Sequence, residues 1–229
     1  MSEQLSRRER LRAEALAEIT KLAMAQVAQG GPAALSLNAI AKQMRMSGPA
    51  IYRYFASRDE LLKKLVLDVY GDLAETLGQA LEQARRRRPD ARLRAVADAY
   101  RGWALEHPGQ YPLLLAGGLA RGTQPPEIAL ASQRAMQHIL VALRDLAADR
   151  PAPALKLPRD LDAQLRSWAH ERGAGDDLPP WLLRLAIVTW QRLHGHITVE
   201  LEGVHAAMGI SSDALYRTEV DAIIAEAIT

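Results

Sequence analysis

Residues 47–54, Ser-Gly-Pro-Ala-Ile-Tyr-Arg-Tyr, put three hydroxyls (Ser47, Tyr52, Tyr54) and one guanidinium (Arg53) within eight positions. Hydroxyl and guanidinium donors are the groups that grip phosphate oxygens. Gly48, Pro49 and Ala50 lead that stretch with side chains too small to hold a backbone away from a neighbouring surface. Covalent chemistry has no comparable cluster. The chain lacks cysteine, which removes thiolate nucleophiles, disulfides and thiolate metal sites. His194 and His196 stand two apart and diverge on a helix, and His170-Glu171 lacks the second histidine of a metalloprotease signature. His196 and Glu200 are an i, i+4 pair, but two ligands do not make a metal site. Nucleophile-elbow, P-loop and dinucleotide-binding glycine patterns are all missing. The expectation is a non-enzyme that needs no cofactor.

Such donors need a scaffold. Two short helices are expected, Leu37 to Met44 capped by Ser36 and a second capped by Ser47, with Pro49 in the first turn where a missing N–H costs nothing. Only Arg45 and Met46 separate them. Helices of about two turns cannot bury themselves alone. The apolar set Leu37, Ile40, Ala41, Met44, Met46, Ile51 and Phe55 suits a pair closed over a tight turn, which is helix-turn-helix geometry.

The remainder reads as helix throughout, because apolar residues rarely alternate and alanine, leucine, glutamate and arginine outnumber β-branched residues. A first helix spans about Leu5 to Ala28, with Leu16, Ile19, Ala23 and Val27 in one stripe and Gly30-Gly31-Pro32 as its stop. Ser57-Arg58-Asp59-Glu60 is a capping box opening a long helix that ends near Arg85 to Arg88. That arginine run is either a solvated helix end complementing the dipole or a second DNA contact. Further helices are predicted at Asp90–Glu106, Gln110–Ala116, Glu127–Ala148, Arg159–Glu171, Pro180–Glu202 and Ser212–Ile228. Breakers mark the joints at 107–109, 122–126, 150–153 and 173–180.

Composition agrees with a globular chain: 229 residues, 48% hydrophobic and 24% charged, enough for one large or two small domains. The net charge of +2 hides an asymmetry, since residues 1–64 carry eleven Lys and Arg against six Asp and Glu, or +5, leaving −3 for the rest. A basic first quarter suits a polyanion, or is simply a solvated face. Charge in MSEQLSRRERLR stands where a secretory signal needs apolar residues, and no run approaches the roughly 18 that a membrane span requires. A cytoplasmic protein with no membrane partner is expected.

The stretch Leu37 to Leu62, LNAIAKQMRMSGPAIYRYFASRDELL, resembles the tetracycline-repressor (TetR) family of bacterial transcription factors. The likeness rests on Ala41, the S-x-x-x-[IL]-Y-x-[YH]-F core at Ser47 to Phe55 and S-[KR]-[DE]-E-L-L at Ser57 to Leu62. It implies an all-α fold, with a three-helix DNA-binding domain over residues 1–56 and a helical ligand-binding and dimerisation domain over 57–229. It also implies a homodimeric, ligand-responsive repressor reading two operator half-sites. By the resemblance Gly48, Pro49, Ala50, Tyr52 and Tyr54 occupy recognition-helix positions that touch DNA, and Asn38, Ser47, Arg53 and Arg58 lie near bases or phosphates. With so bland a helix start, thymine-methyl contact, Asn38 to adenine and DNA shape carry specificity. Arg7 to Arg12 either add phosphate or minor-groove contacts or form an ordinary solvated helix start. One departure is Arg45, where the family often has glycine: a left-handed backbone there strains a non-glycine residue by roughly 1 kcal/mol or more. The competing reading is a helical small-molecule-binding protein that has lost operator recognition.

The C-terminal part is less specific. Trp190-Gln191-Arg192-Leu193-His194-Gly195 with Leu201-Glu202 resembles the WHG-type C-terminal domain of some members, and Gly195 inside a helix suggests a close helix crossing. Leu182 to Trp190 is nearly all apolar, and Val220, Ile223, Ile224, Ala227 and Ile228 form an i, i+3, i+4 stripe. Residues 181–202 and 212–228 are therefore expected to form a four-helix dimer seam, or else ordinary core. Tyr100, Trp103, His107, Tyr111, Met136, Trp168, Trp190 and His194 are either core residues or the lining of a cavity for a small apolar or amphipathic effector. A pendulum-like swing of the long fourth helix would change the separation of two recognition helices that must sit about 34–36 Å apart.

Overall fold

Ser6 starts the first helix, α1 (Arg7–Gly30): its hydroxyl accepts the Glu9 N–H at 3.3 Å while the Glu9 carboxylate accepts the Ser6 N–H at 2.7 Å. Hydrogen bonding of the Glu9 carboxylate to the Ser6 side chain and backbone holds it below its ordinary pKa. The computed structural model describes residues 6–116, 125–148, 156–171 and 178–228. Among them are eleven α-helices, one 3₁₀ turn and no strand. Leu5 and most of the breakers near 117–124, 149–155 and 172–177 lie outside the described residues.

The chain divides into two compact groupings, residues 1–69 with 107–128 and residues 70–106 with 129–229. In the first, α1 packs against a 3₁₀ turn (Pro32–Ala34) and α2 (Leu37–Gln43), and α2 packs against α3 (Gly48–Ile51). Ile19, Ala23 and Val27 of α1 share a core with Leu37, Ile40, Ala41, Ile51 and Phe55, all buried, while Met44 and Met46 are half-buried. Burial of each large aliphatic side chain contributes roughly 1.5–3 kcal/mol, and that is what keeps two such short helices folded. The first turns of α4 (Arg58–Gln83) complete this grouping. There the Ser57 hydroxyl accepts the Glu60 N–H at 3.1 Å, and Glu60 reaches back past Ser57 to the Ala56 N–H at 2.6 Å. The short α6 (Leu113–Ala116) also belongs here.

The second grouping is built on α5 (Pro89–Glu106), the bulk of α7 (Pro126–Ala147), α8 (Arg159–Glu171), α9 (Pro180–Leu201), α10 (Val204–Ala207) and α11 (Ser212–Ile228). α9 is its hub, packing on α5, α8, α10 and α11. Val220, Ile223, Ile224 and Ala227 of α11 are buried in this core, so the apolar stripe read as a dimer seam is taken up within one chain. The seam reading therefore needs other faces of α9 and α11. Gly195 is corrected in the same way: among the described residues a Cβ there would meet nothing within 4 Å outside its own helix turn, so none of their helices crosses closely at that point.

Two small elements went unread in the sequence, the 3₁₀ turn and α10. The second sits between two left-handed glycines, Gly203 and Gly209, both at φ 71°. Ile210 N–H bonds the His205 carbonyl at 2.9 Å and Gly209 N–H that of Ala206 at 3.0 Å, a Schellman closure. α4 ends at Gln83, a few residues earlier than expected. Beyond it Arg85 pairs with Glu82 at 3.0 Å and Arg88 with Asp90 at 3.3 Å, which gives two of the four arginines local carboxylates.

Candidate nucleic-acid interface

The turn between α2 and α3 is closed by backbone geometry. Met46 N–H donates to the Ala41 carbonyl at 2.9 Å and Arg45 N–H to that of Lys42 at 3.2 Å, the two bonds of a Schellman motif. That motif places Arg45 in the left-handed region, and its φ is 55°. The strain expected of a non-glycine residue at this position is thus present.

α3 is a single regular turn, extended by bonds from Arg53 N–H to the Ala50 carbonyl (3.3 Å) and from Tyr54 N–H to that of Ile51 (2.9 Å). Ser47 stands at its N-cap, but its hydroxyl makes no capping bond, contrary to expectation. The reason is local: Pro49 offers no N–H, and the Ala50 N–H goes to the Ser47 carbonyl at 2.9 Å instead. The hydroxyl is left facing outward on an exposed residue. By contrast Ser36 does cap α2, accepting the Ala39 N–H at 3.3 Å.

Around this turn Asn38, Ser47, Gly48, Pro49, Tyr52 and Arg53 are exposed, and Ala50 and Tyr54 half-buried. Tyr52 is 47% exposed. Arg58 behaves differently. Its Nε donates to the Leu35 carbonyl at 3.1 Å and another guanidinium nitrogen to the Pro32 carbonyl, fastening the start of α4 to the segment ahead of α2. The structure thus gives Arg58 a positioning task, which the sequence reading of it as a DNA neighbour did not foresee. Lys21, Lys63 and Lys64 are each paired with a carboxylate, whereas Arg53 meets none among the described residues.

In the second grouping the effector candidates disperse. Tyr100 and His194 share a hydrogen bond at 2.7 Å, and Trp190 stacks on His194 with ring centres 5.1 Å apart. Burial pushes the His194 imidazole down to about 4, so it is neutral at physiological pH. Trp103 is committed to the Asp72 carboxylate at 2.7 Å. Met136 and Trp168 are half-buried on α7 and α8, and His107 and Tyr111 fall in the other compact grouping. The i, i+4 pair His196 and Glu200 is engaged elsewhere: His196 bonds the Ser212 carbonyl at 3.1 Å, and Arg101 holds Glu200 through two nitrogens at 2.7 and 2.8 Å and Asp213 at 3.1 Å. None of the Arg101 partners was read from sequence.

A tight turn that joins two short helices, with exposed hydroxyls and a guanidinium on the second, defines a helix-turn-helix DNA-binding protein. The family model for bacterial regulatory proteins of the tetR family matches residues 19–65, and that for the tetracyclin repressor-like C-terminal domain matches residues 93–223. The chain is 31% identical over 222 residues to the HTH-type transcriptional regulator Mb1846 of Mycobacterium bovis, covering 92% of each. Among solved structures it is similar to SCO4313, with a TM-score of 0.76, 35% identity and 95% and 98% of the two chains covered. It also shares its fold with PfmR of Thermus thermophilus, a TetR family transcriptional regulator, at a TM-score of 0.54 and 18% identity over 92% of this chain and 96% of that one. The chain belongs to the TetR family, and its function is DNA-binding regulation of transcription. No helix among the described residues is long and apolar enough to cross a membrane.

Proposed function

We propose that the chain is a ligand-responsive repressor that binds an operator of two half-sites as a homodimer in the cytoplasm. Residues 1–56 read DNA, and residues 57–229 dimerise and bind the effector. The observation that carries this reading is the exposed row Asn38, Ser47, Tyr52 and Arg53, whose hydrogen-bonding groups the fold leaves unused. Gly48, Pro49 and Ala50 let the backbone approach the groove, and Tyr54 adds a hydroxyl toward the phosphates. Dimerisation through 181–202 and 212–228 is supported by exposed Gln191, Gly195, Leu215 and Ala222, which remain after the apolar stripe is buried. The open space at Gly195 suits the close approach of a second copy. The effector is a small apolar or amphipathic molecule, and Tyr100, Trp190 and His194 are the candidates that stand together to orient it. Its binding changes half-site spacing and releases the operator.

Replacing Tyr52 and Arg53 together by alanine tests this. Operator affinity should fall at least a hundredfold while helicity and oligomeric state stay unchanged. Unchanged affinity would show that other residues read the operator; a wild type that binds no operator would shift the reading to a small-molecule-binding protein without operator recognition, the alternative favoured by the featureless Gly48-Pro49-Ala50 start.

A further inference from the structure

α10 joins α9 to α11, and its outward side is apolar. Four of the ten large apolar side chains that lie exposed among the described residues fall within residues 204–215: Val204, Met208, Ile210 and Leu215. Met208 is 64% exposed and Val204 44%. These two stand at i, i+4 on one side of the helix, where the Met208 N–H donates to the Val204 carbonyl at 3.1 Å. The corner they occupy is tied down. Left-handed Gly203 and Gly209 close its two ends. Buried His205 fastens it from below, bonding the Ser212 hydroxyl at 3.0 Å and meeting the His196 ring with centres 4.8 Å apart.

Charge narrows what could cover this corner. From Gly203 to Ser212 the chain has no Asp, Glu, Lys or Arg, and Glu202 and Asp213 bound the stretch with acids. Nucleic acid or an anionic membrane would find neither lysine nor arginine there. A second copy of the chain is the better match. A stable dimer buries about 800 Å² of each partner around an apolar centre in which methionine is enriched. At mid-length, however, the exposed positions of α9 and α11 are Gln191, Gly195, Thr218 and Ala222, short or polar side chains that supply little apolar area. The large apolar side chains stand next in line, on α10 and the first turn of α11. We propose that the α10 corner is part of the dimer interface, with Val204, Met208 and Ile210 buried against the partner chain as apolar anchors. The inference rests on the homodimer reading and adds to its two helices the element between them.

Two measurements on the purified full-length chain test it. In sedimentation equilibrium V204Q/M208Q should raise the dimer Kd at least tenfold, with helicity by circular dichroism unchanged because both side chains are exposed. Leu130 on α7 is the control: it is 49% exposed, and L130Q should leave the Kd as it is. The second measurement uses the absence of cysteine, which makes M208C and L130C single-thiol proteins. In the free chain position 208 is the more exposed of the two, so maleimide labelling of M208C at least tenfold slower than L130C in the dimer means that the partner covers it. A monomeric wild type overturns the homodimer reading and this inference together. If the wild type is a dimer, an unchanged Kd for V204Q/M208Q, or labelling of M208C as fast as L130C, overturns this inference alone and leaves the seam on α9 and α11 standing.

Discussion

Replacing Arg45 by glycine should stabilise the protein. The Schellman closure of α2 holds Arg45 at φ 55°, where an L side chain costs about 1–2 kcal/mol. Glycine escapes that cost but loses about 0.5–1 kcal/mol through its freer unfolded chain. The net gain is about 0.5–1 kcal/mol, a rise in Tm of roughly 1–4 °C for a chain of this size. Alanine at 45 is the control, since it keeps the Cβ and the strain while discarding the guanidinium. Urea unfolding of wild type, R45A and R45G at one protein concentration gives the comparison through Cm at constant m. R45G should be the most stable, with R45A near wild type and asparagine between. An R45G variant no more stable than R45A would refute the strain argument. Arg45 is exposed in the turn, so any phosphate contact it makes is lost equally in R45A and R45G, separating its binding role from its conformational cost.

Three other perturbations have defined outcomes. A Cβ at Gly109 would lie 2.4 Å from the Ala28 Cβ and 2.9 Å from its Cα, so G109A should cost about 1–3 kcal/mol in chemical unfolding, and A28G should recover part of it; full tolerance would show that the contact is loose. Gly195→Leu should leave the monomer folded, because among the described residues no atom beyond its own helix turn lies within 4 Å of the new Cβ, yet shift sedimentation toward a monomer; an intact dimer would place the seam elsewhere. His194 is held down from 6.5 to about 4 by burial, so between those values the unfolded chain takes a proton that the folded chain refuses. Stability should therefore fall as pH drops from about 6.5 to 4, by at most about 1.4 kcal/mol per unit, and His194→Gln should flatten that dependence; an equal slope in the variant would contradict it.

The helix-turn-helix was legible because its signals are local. Ser36, Pro49, the Ser57–Glu60 box and the apolar spacing of Leu37, Ile40, Ile51 and Phe55 each act within a few residues, and helix boundaries follow from such signals to within two or three positions. The strain at Arg45 was expected only through the family resemblance, which puts glycine at that turn position, and the left-handed backbone there bears it out. What escaped depends on distant chain. Ser47 and Arg58 look alike as polar donors in sequence, yet one is left outward by Pro49 and the other is absorbed by carbonyls 23 and 26 residues away. The Arg101 network joins residues 99 and 112 positions apart, which no periodicity reports. Periodicity identified the α11 stripe as buried but could not say against what, and α5 and α9 of the same chain turned out to cover it. The eight aromatic and polar-tipped effector candidates were chosen by type alone, and tertiary packing brings Tyr100, Trp190 and His194 together.

The most direct measurement is fluorescence anisotropy of the full chain against tiled duplexes from the region upstream of its own gene, with competitor DNA and a salt titration. The expected result is one fragment bound above the rest, containing two related half-sites centred about one helical turn apart or a multiple of it, with affinity falling steeply as salt rises. A genome-wide selection covers an operator that lies elsewhere. If neither experiment yields a sequence bound above competitor, the exposed row on α2 and α3 is not an operator-reading surface.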